Sequence, residues 1–131
     1  MIHQSQKKTA PLISVVDDDD SMREALESLL KSVGYRTAIF ASAQDFLQAS
    51  ERNETNCLIL DVRMPGMNGL ELQEKLAAEN SRVPIVFISA NSESGEKEQA
   101  LARGADDYLY KPLSEDTLLG AIRAAFNIQE V

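Results

Sequence analysis

Residues 57–78 have the sequence CLILDVRMPGMNGLELQEKLAA. The segment begins with a short apolar run, Cys57 to Leu60, which predicts a buried strand that ends at Asp61. A loop containing proline and glycine follows, and the residues after Gly69 have the pattern of a helix. The same order of strand, loop and helix recurs on both sides of this segment.

Four further strands are predicted from apolar runs bounded by turn-forming or charged residues. They lie at residues 12–16, 36–40, 85–88 and 107–110, and a helical pattern follows each of them. Neighbouring parallel strands need a crossover connection, which helices provide on both faces of a sheet. The predicted fold class is therefore α/β, with five parallel strands alternating with five helices.

The first helix has recognisable end signals. Ser21 and Glu24 have the spacing of a capping box, and Gly34 is the predicted stop. Its predicted inward face consists of Met22, Leu26, Leu29, Leu30 and Val33. The fourth helical pattern, from Glu93 to Arg103, contains few apolar residues, so we expect it to be poorly buried.

The composition describes one compact domain. With 131 residues, of which 44% are hydrophobic, the chain can bury a core of ordinary size. We expect a polar extension at residues 1–10, one domain at 11–128 and no second domain. The single cysteine, Cys57, lies in an apolar run and is expected to be buried rather than reactive.

Charge and hydropathy argue against two classes of partner. The chain has 21 acidic and 13 basic residues and a net charge of −8, which disfavours direct binding to the phosphate backbone of nucleic acids. No apolar run approaches the roughly 20 residues of a membrane span, and the amino terminus lacks a signal-peptide core. A cytoplasmic protein without membrane contact is expected.

Polar residues collect where the predicted strands end. Asp17 and Asp18 follow the first strand, Asp61 the third, Ser89 the fourth and Lys111 the fifth. In open α/β sheets, ligands bind beyond the carboxyl ends of the strands, at the point where the strand order reverses. We therefore expect these five side chains to form one site.

The three carboxylates favour a divalent cation, because without one they would repel each other. Mg²⁺ prefers oxygen ligands and often pairs carboxylates with phosphate groups. The alternative is that residues 17–20 form a solvated loop in which Asp19 or Asp20 caps the following helix.

Each remaining candidate also has a functional and a structural interpretation. Asp61 has the chemistry of a nucleophile that accepts a phosphoryl group, or it is a turn or helix N-cap residue. The ammonium of Lys111 would pair with Asp61 or a phosphoryl oxygen, or it is an ordinary surface lysine. Ser89 would donate a hydrogen bond to a phosphoryl oxygen, or it caps the next helix.

Four segments together resemble the response-regulator receiver domains of bacterial two-component systems. They are VDD at 16–18, LDVRMPGMNG at 60–69, ISA at 88–90 and YKP at 110–112. The resemblance extends over residues 12–127 and implies a flavodoxin-like fold with strand order 2-1-3-4-5. Residues 40–47, FASAQDFL, look like the FixJ-type subgroup, whose receivers often control helix-turn-helix domains.

The resemblance assigns a role to each candidate at the acceptor. Asp61 would take a phosphoryl group from a histidine kinase or phosphotransfer protein and later lose it, without acting as a turnover enzyme. Mg²⁺ would be held by Asp18, Asp61 and the backbone carbonyl of Arg63, with Asp17 acting through water. Lys111 would contact the phosphoryl group.

The resemblance also implies a conformational switch. Ser89 would engage the phosphoryl group, and the ring of Tyr108 would rotate inward beside it. The surface of the fourth helix, fifth strand and fifth helix would then form a homodimer or bind an output domain or protein. Arg63 and Asn91 would flank the site and influence the access of water.

Two alternatives remain to be compared. A haloacid-dehalogenase-like phosphatase also uses an aspartate nucleophile and Mg²⁺, but it needs a second aspartate two residues later, where this chain has Arg63. A receiver-like scaffold that works without phosphorylation typically loses acceptor, acidic or lysine residues, and this chain keeps them all.

Overall fold

The computed structural model of the chain describes residues 10–90 and 95–130, with side chains described up to residue 126. Its sheet contains five parallel strands. They are β1 (Leu12–Val16), β2 (Arg36–Phe40), β3 (Cys57–Asp61), β4 (Ile85–Ser89) and β5 (Asp107–Tyr110). The strand order is β2-β1-β3-β4-β5, which confirms the order implied by the resemblance.

Five α-helices connect the strands or follow the last one. They are α1 (Asp20–Ser32), α2 (Ala43–Gln48), α3 (Gly69–Ala78), α4 (Glu96–Ala102) and α5 (Glu115–Glu130). A 3₁₀ turn, Ser50–Glu54, follows α2. None of the helices in the described ranges is both long enough and apolar enough for a membrane crossing.

The helices cover both faces of the sheet, so the apolar strands have two cores. On β3, Cys57 and Ile59 pack with α1 and α5, whereas Leu58 and Leu60 pack with α2 and α3. Strands covered on both faces are continuously apolar rather than alternating, as the sequence of β3 is. Cys57 is buried as expected, and this burial raises the pKa of its thiol to about 12.

The predicted capping box of α1 is wrong. The cap is Asp19, whose carboxylate accepts hydrogen bonds from the backbone N–H groups of Ser21 and Met22. Ser21 and Glu24 therefore lie inside the helix. An aspartate earlier in the acidic run satisfies the same free N–H groups, and its charge favours the helix N-terminus.

The predicted inward face of α1 is also one residue too long. Val33 is 49% exposed, because α1 ends at Ser32 and the chain turns at Gly34 with a φ of 100°. The expectation for α4 is confirmed, since Ala100 is its one buried side chain.

Gly69 brings α3 against the end of β3. Its N–H donates to the Val62 carbonyl over 2.9 Å. A Cβ added at Gly69 would lie 2.4 Å from the Asp61 carbonyl oxygen and 3.0 Å from the Val62 Cα. Both contacts are with backbone, which cannot move aside without shifting the end of β3.

Gly69→Ala is therefore expected to destabilise the protein by about 1–3 kcal/mol, as overpacking does in a tight site. Gly120→Ala in α5 is the matched control, because a Cβ there meets nothing within 4 Å. That variant is expected to gain roughly 0.5–1 kcal/mol from helix propensity. Urea unfolding of both variants measures the difference, and equal stabilities would contradict the close approach at Gly69.

Candidate functional site

The carboxyl ends of β1 and β3 bring three aspartates together. One carboxylate oxygen from each of Asp17, Asp18 and Asp61 lies within 4.8 Å of the others. Asp17 is fully buried and Asp61 is 5% exposed, whereas Asp18 is exposed. The predicted convergence of these residues is therefore observed, in a cluster that is open to solvent on the side of Asp18.

Lys111 supplies a positive charge to this cluster. Its Nζ lies 3.1 Å from the Asp17 Oδ2 and 3.8 Å from the Asp61 Oδ1. The predicted pairing with Asp61 is present, but the hydrogen bond goes to Asp17. The bond between Lys111 and Pro112 is cis, and the Lys111 N–H donates to the Ser89 carbonyl over 2.8 Å.

Asp17 is fixed by hydrogen bonds to both its side chain and its backbone. Its Oδ1 accepts a hydrogen bond from the Asp19 N–H over 2.9 Å, and its carbonyl accepts one from the Arg23 Nη1 over 2.7 Å. Arg23, which also pairs with Asp20, was not predicted as a site residue. Because its partner at Asp17 is a backbone oxygen, the sequence carries no charge pattern that identifies it.

Asp61 has an unusual protonation equilibrium. The pKa of its carboxyl is raised from 3.8 to about 7, chiefly by burial and next by the neighbouring Asp17 carboxylate. The Lys111 ammonium acts in the opposite direction. The single ammonium of Lys111 does not offset the combined effect of the other two carboxylates and of the water that Asp61 loses on burial.

The donor set fits a hard divalent cation. Three carboxylates converge, two of them are shielded from water, and the charges of Asp17 and Asp18 add to the effect of burial in raising the pKa of Asp61. Mg²⁺ binds oxygen ligands and keeps several waters, which suits a cluster with one solvent-exposed member. Asp17, Asp18 and Asp61 are therefore a chemically suitable site for this ion.

Ser89 ends β4 and Tyr108 lies on the neighbouring strand β5, and both are buried. Burial raises the pKa of the Tyr108 hydroxyl, and the Ser89 side chain lowers it. The helix-cap interpretation of Ser89 is wrong, because Gly95 precedes α4 and makes no side-chain cap. Asp61 does not cap α3 either, since Asn68 does so.

Arg63 projects from the loop after β3 toward α4. Its Nη2 lies 3.0 Å from the Glu96 Oε2, and its side chain is 57% exposed. Glu96 was not predicted as a site residue, because nothing in the sequence relates two residues that are 33 positions apart. Asn91, predicted to flank the site, lies outside the described residues.

Comparison with known protein families gives a match to the response regulator receiver domain over residues 13–123. The transcriptional regulatory protein FixJ of Bradyrhizobium diazoefficiens is 37% identical over 118 residues, which are 90% of this chain and 58% of FixJ. The response regulator protein TmoT of Ectopseudomonas mendocina is 45% identical over 117 residues, 89% of this chain and 53% of TmoT.

Solved structures give the same result. A response regulator receiver protein from Burkholderia phymatum superposes with a TM-score of 0.77 at 40% identity. The alignment covers 89% of this chain and 95% of that one. The present chain spans about half the length of the curated relatives it matches.

The raised pKa of Asp61 makes the stability of the metal-free protein depend on pH. Between 3.8 and about 7, the folded protein keeps a proton that the unfolded chain releases, so stability falls as the pH rises. Asp61→Asn removes this titration. The free energy of unfolding of the variant is expected to exceed that of wild type by an amount that grows from about pH 4 to pH 8. At pH 8 the difference should be at least about 1 kcal/mol.

Urea unfolding in the presence of a chelator measures this difference. A gain in stability that does not change with pH would contradict a raised pKa at Asp61. Repeating the series with Mg²⁺ is the control, because a bound cation supplies the missing positive charge and should diminish the pH-dependent part.

Proposed function

The chain belongs to the response regulator receiver domain family, and from this we propose that Asp61 is its phosphoacceptor. The observation that carries the proposal is the position of Asp61. Its carboxylate ends β3, is nearly buried, and lies within 3.8 Å of the Lys111 ammonium and beside Asp17 and Asp18. In this setting the Lys111 ammonium can offset the charge of an incoming phosphoryl group, and the solvent-exposed side of the cluster at Asp18 leaves room for it.

The proposed reaction is an in-line transfer from a phosphohistidine. An Asp61 carboxylate oxygen attacks phosphorus, the P–N bond breaks, and the imidazole nitrogen leaves with the bonding electron pair and takes up a proton. The product is an acyl phosphate on Asp61. Attack of water on phosphorus later returns the carboxylate and inorganic phosphate, so the protein itself is a stoichiometric acceptor rather than a turnover enzyme.

Mg²⁺ is the proposed cofactor, with Asp18, Asp61 and the Arg63 backbone carbonyl as its protein ligands. Asp17 would act through water. The ion supplies positive charge that offsets the negative charge of the phosphoryl oxygens. The acidic cluster supports this assignment, because only one ammonium, that of Lys111, is described near its three carboxylates.

Lys111 and Ser89 are proposed to bind the transferred group. Before transfer, Lys111 donates to Asp17, and its 3.8 Å separation from the Asp61 Oδ1 leaves it within reach of a phosphoryl oxygen. Ser89 ends β4 and directly follows Ile88, which is the register partner of Asp61. Its hydroxyl is therefore suited to donate a hydrogen bond to the same group.

The proposed switch connects Ser89 to Tyr108. Tyr108 is buried here, with its ring 5.8 Å from that of Phe87. Withdrawal of Ser89 toward the phosphoryl group would favour this buried position over an exposed one. The response would appear on the surface formed by α4, β5 and α5.

The partners are proposed from the family and its relatives. A histidine kinase or phosphotransfer protein would supply the phosphoryl group in the cytoplasm. Since the relatives are about twice as long as the matched region, an output domain or protein, or a second receiver, is the expected partner of the switched surface. We propose residues 11–128 as the receiver unit, with residues 1–10 preceding it.

Intact-mass measurement after incubation with acetyl phosphate tests the acceptor. Wild type with Mg²⁺ is expected to gain one phosphoryl group, whereas Asp61→Asn and the Mg²⁺-free sample gain none. Asp45→Asn is the matched control, because it removes an exposed carboxylate on α2 and should leave the adduct intact.

An adduct on Asp61→Asn would refute the acceptor assignment, and an adduct without Mg²⁺ would refute the metal requirement. If wild type gains no mass, beryllofluoride binding distinguishes fast hydrolysis from inactivity. Absence of both would favour a receiver-like scaffold that works without phosphorylation.

A further inference from the structure

Helix α4 has few apolar contacts to hold it on the sheet. Of its seven residues, only Ala100 is buried, and Gly95 provides no side-chain cap. A short helix with one buried side chain gains little free energy from packing. Its position therefore depends on the polar contacts that the neighbouring elements make with it.

The carboxyl-terminal end of α4 is attached to α3. The Gln73 Nε2 donates to the Ala100 carbonyl over 2.9 Å, and Gln73 is buried. Arg103, the residue directly after α4, has its Nη2 3.6 Å from the Glu74 Oε2. These two contacts hold the end of α4 opposite to Glu96.

The amino-terminal end of α4 is attached to the acceptor loop. Glu96 is its first residue, and its carboxylate lies 3.0 Å from the Arg63 guanidinium. The backbone at Arg63 is well fixed, because the preceding Val62 donates to the Ile88 carbonyl over 3.1 Å and accepts from the Gly69 N–H. Arg63 thus connects α4 to the backbone directly after Asp61.

Tyr108 belongs to the same buried apolar cluster as Ala100, the buried residue of α4, and its hydroxyl responds to both charges of the ion pair. Burial is the main cause that raises the pKa of its hydroxyl, the Glu96 carboxylate raises it further, and the Arg63 guanidinium lowers it. Both charges therefore act on the hydroxyl in its buried position. In addition, the Glu96 side chain is only 21% exposed.

We propose that the Arg63–Glu96 ion pair is a positioning element that holds the start of α4 over Tyr108 and favours the buried position of its ring. The proposal rests on the proposed function, because it assigns a role in the switch. It couples the loop after the acceptor directly to the switching surface, independently of Ser89. Neither side chain needs to touch the phosphoryl group for this role.

The magnitude expected of the ion pair is small but sufficient. Partly exposed ion pairs change an equilibrium by roughly a factor of two to five. Such a factor is minor for global stability, yet it is a large change for a side chain that exchanges between two positions of similar free energy. The role should therefore be visible in the populations of the buried and exposed positions of the Tyr108 ring rather than in the free energy of unfolding.

The test is fluorine NMR of protein labelled with 3-fluorotyrosine, with Tyr108→Phe assigning the signal among the three tyrosines. In Mg²⁺-free protein, Glu96→Gln and Arg63→Gln should each raise the exposed-to-buried ratio of Tyr108 by about two- to fivefold. The double variant should exceed neither, because both changes remove the same interaction. Glu74→Gln breaks the ion pair with Arg103 at the opposite end of α4 and should leave the ratio unchanged.

The proposal would be overturned if the exposed-to-buried ratio of Tyr108 in Glu96→Gln and Arg63→Gln equalled that of wild type. It would also be overturned if the effects of the two changes added in the double variant. Circular dichroism checks that each variant is folded, and Arg63→Gln gives the answer if Glu96→Gln is not. Failure of the proposed function has a different signature. The wild-type Tyr108 signal would then not respond to beryllofluoride with Mg²⁺, while the metal-free comparison of variants would remain measurable.

Discussion

The placement of three carboxylates against one ammonium at the edge of the sheet is the constraint on which the site depends. Asp17 and Asp61 are shielded from water, and Lys111 reaches both of them. Burial of Asp61 and, after it, the neighbouring carboxylates raise its pKa to about 7, although the Lys111 ammonium lowers it. A cluster of this kind gains stability from a cation.

The fold meets this constraint through its topology. The order β2-β1-β3-β4-β5 makes β1 and β3 neighbours, so aspartates 44 positions apart lie at one edge. Gly69 then lets α3 begin against the Asp61 backbone, where any side chain would collide. Apolar packing on both faces of the sheet fixes these strands, so the core holds the repulsive cluster together in addition to the hydrogen bonds of Asp17.

Much of this arrangement was predictable from the sequence, and the errors have physical causes. Strand positions follow from apolar runs, and the convergence of Asp17, Asp61 and Lys111 follows from parallel topology. The cap at Asp19 was only one of the candidates that the sequence offered, beside Asp20 and Ser21, because several residues of this segment can satisfy the same helix N-terminus. Arg23 and Glu96 were missed because their partners depend on helix orientation in three dimensions, which hydrophobic periodicity does not specify.

A crystal structure of the protein with Mg²⁺ and beryllofluoride would locate the phosphorylation site directly. The fluoride complex is expected on the Asp61 carboxylate, with the cation on Asp18, Asp61 and the Arg63 carbonyl. Lys111 and Ser89 should contact the fluorines. A cation bound elsewhere, or beryllofluoride absent from Asp61 at saturating concentration, would contradict the assignment of this cluster as the phosphorylation site.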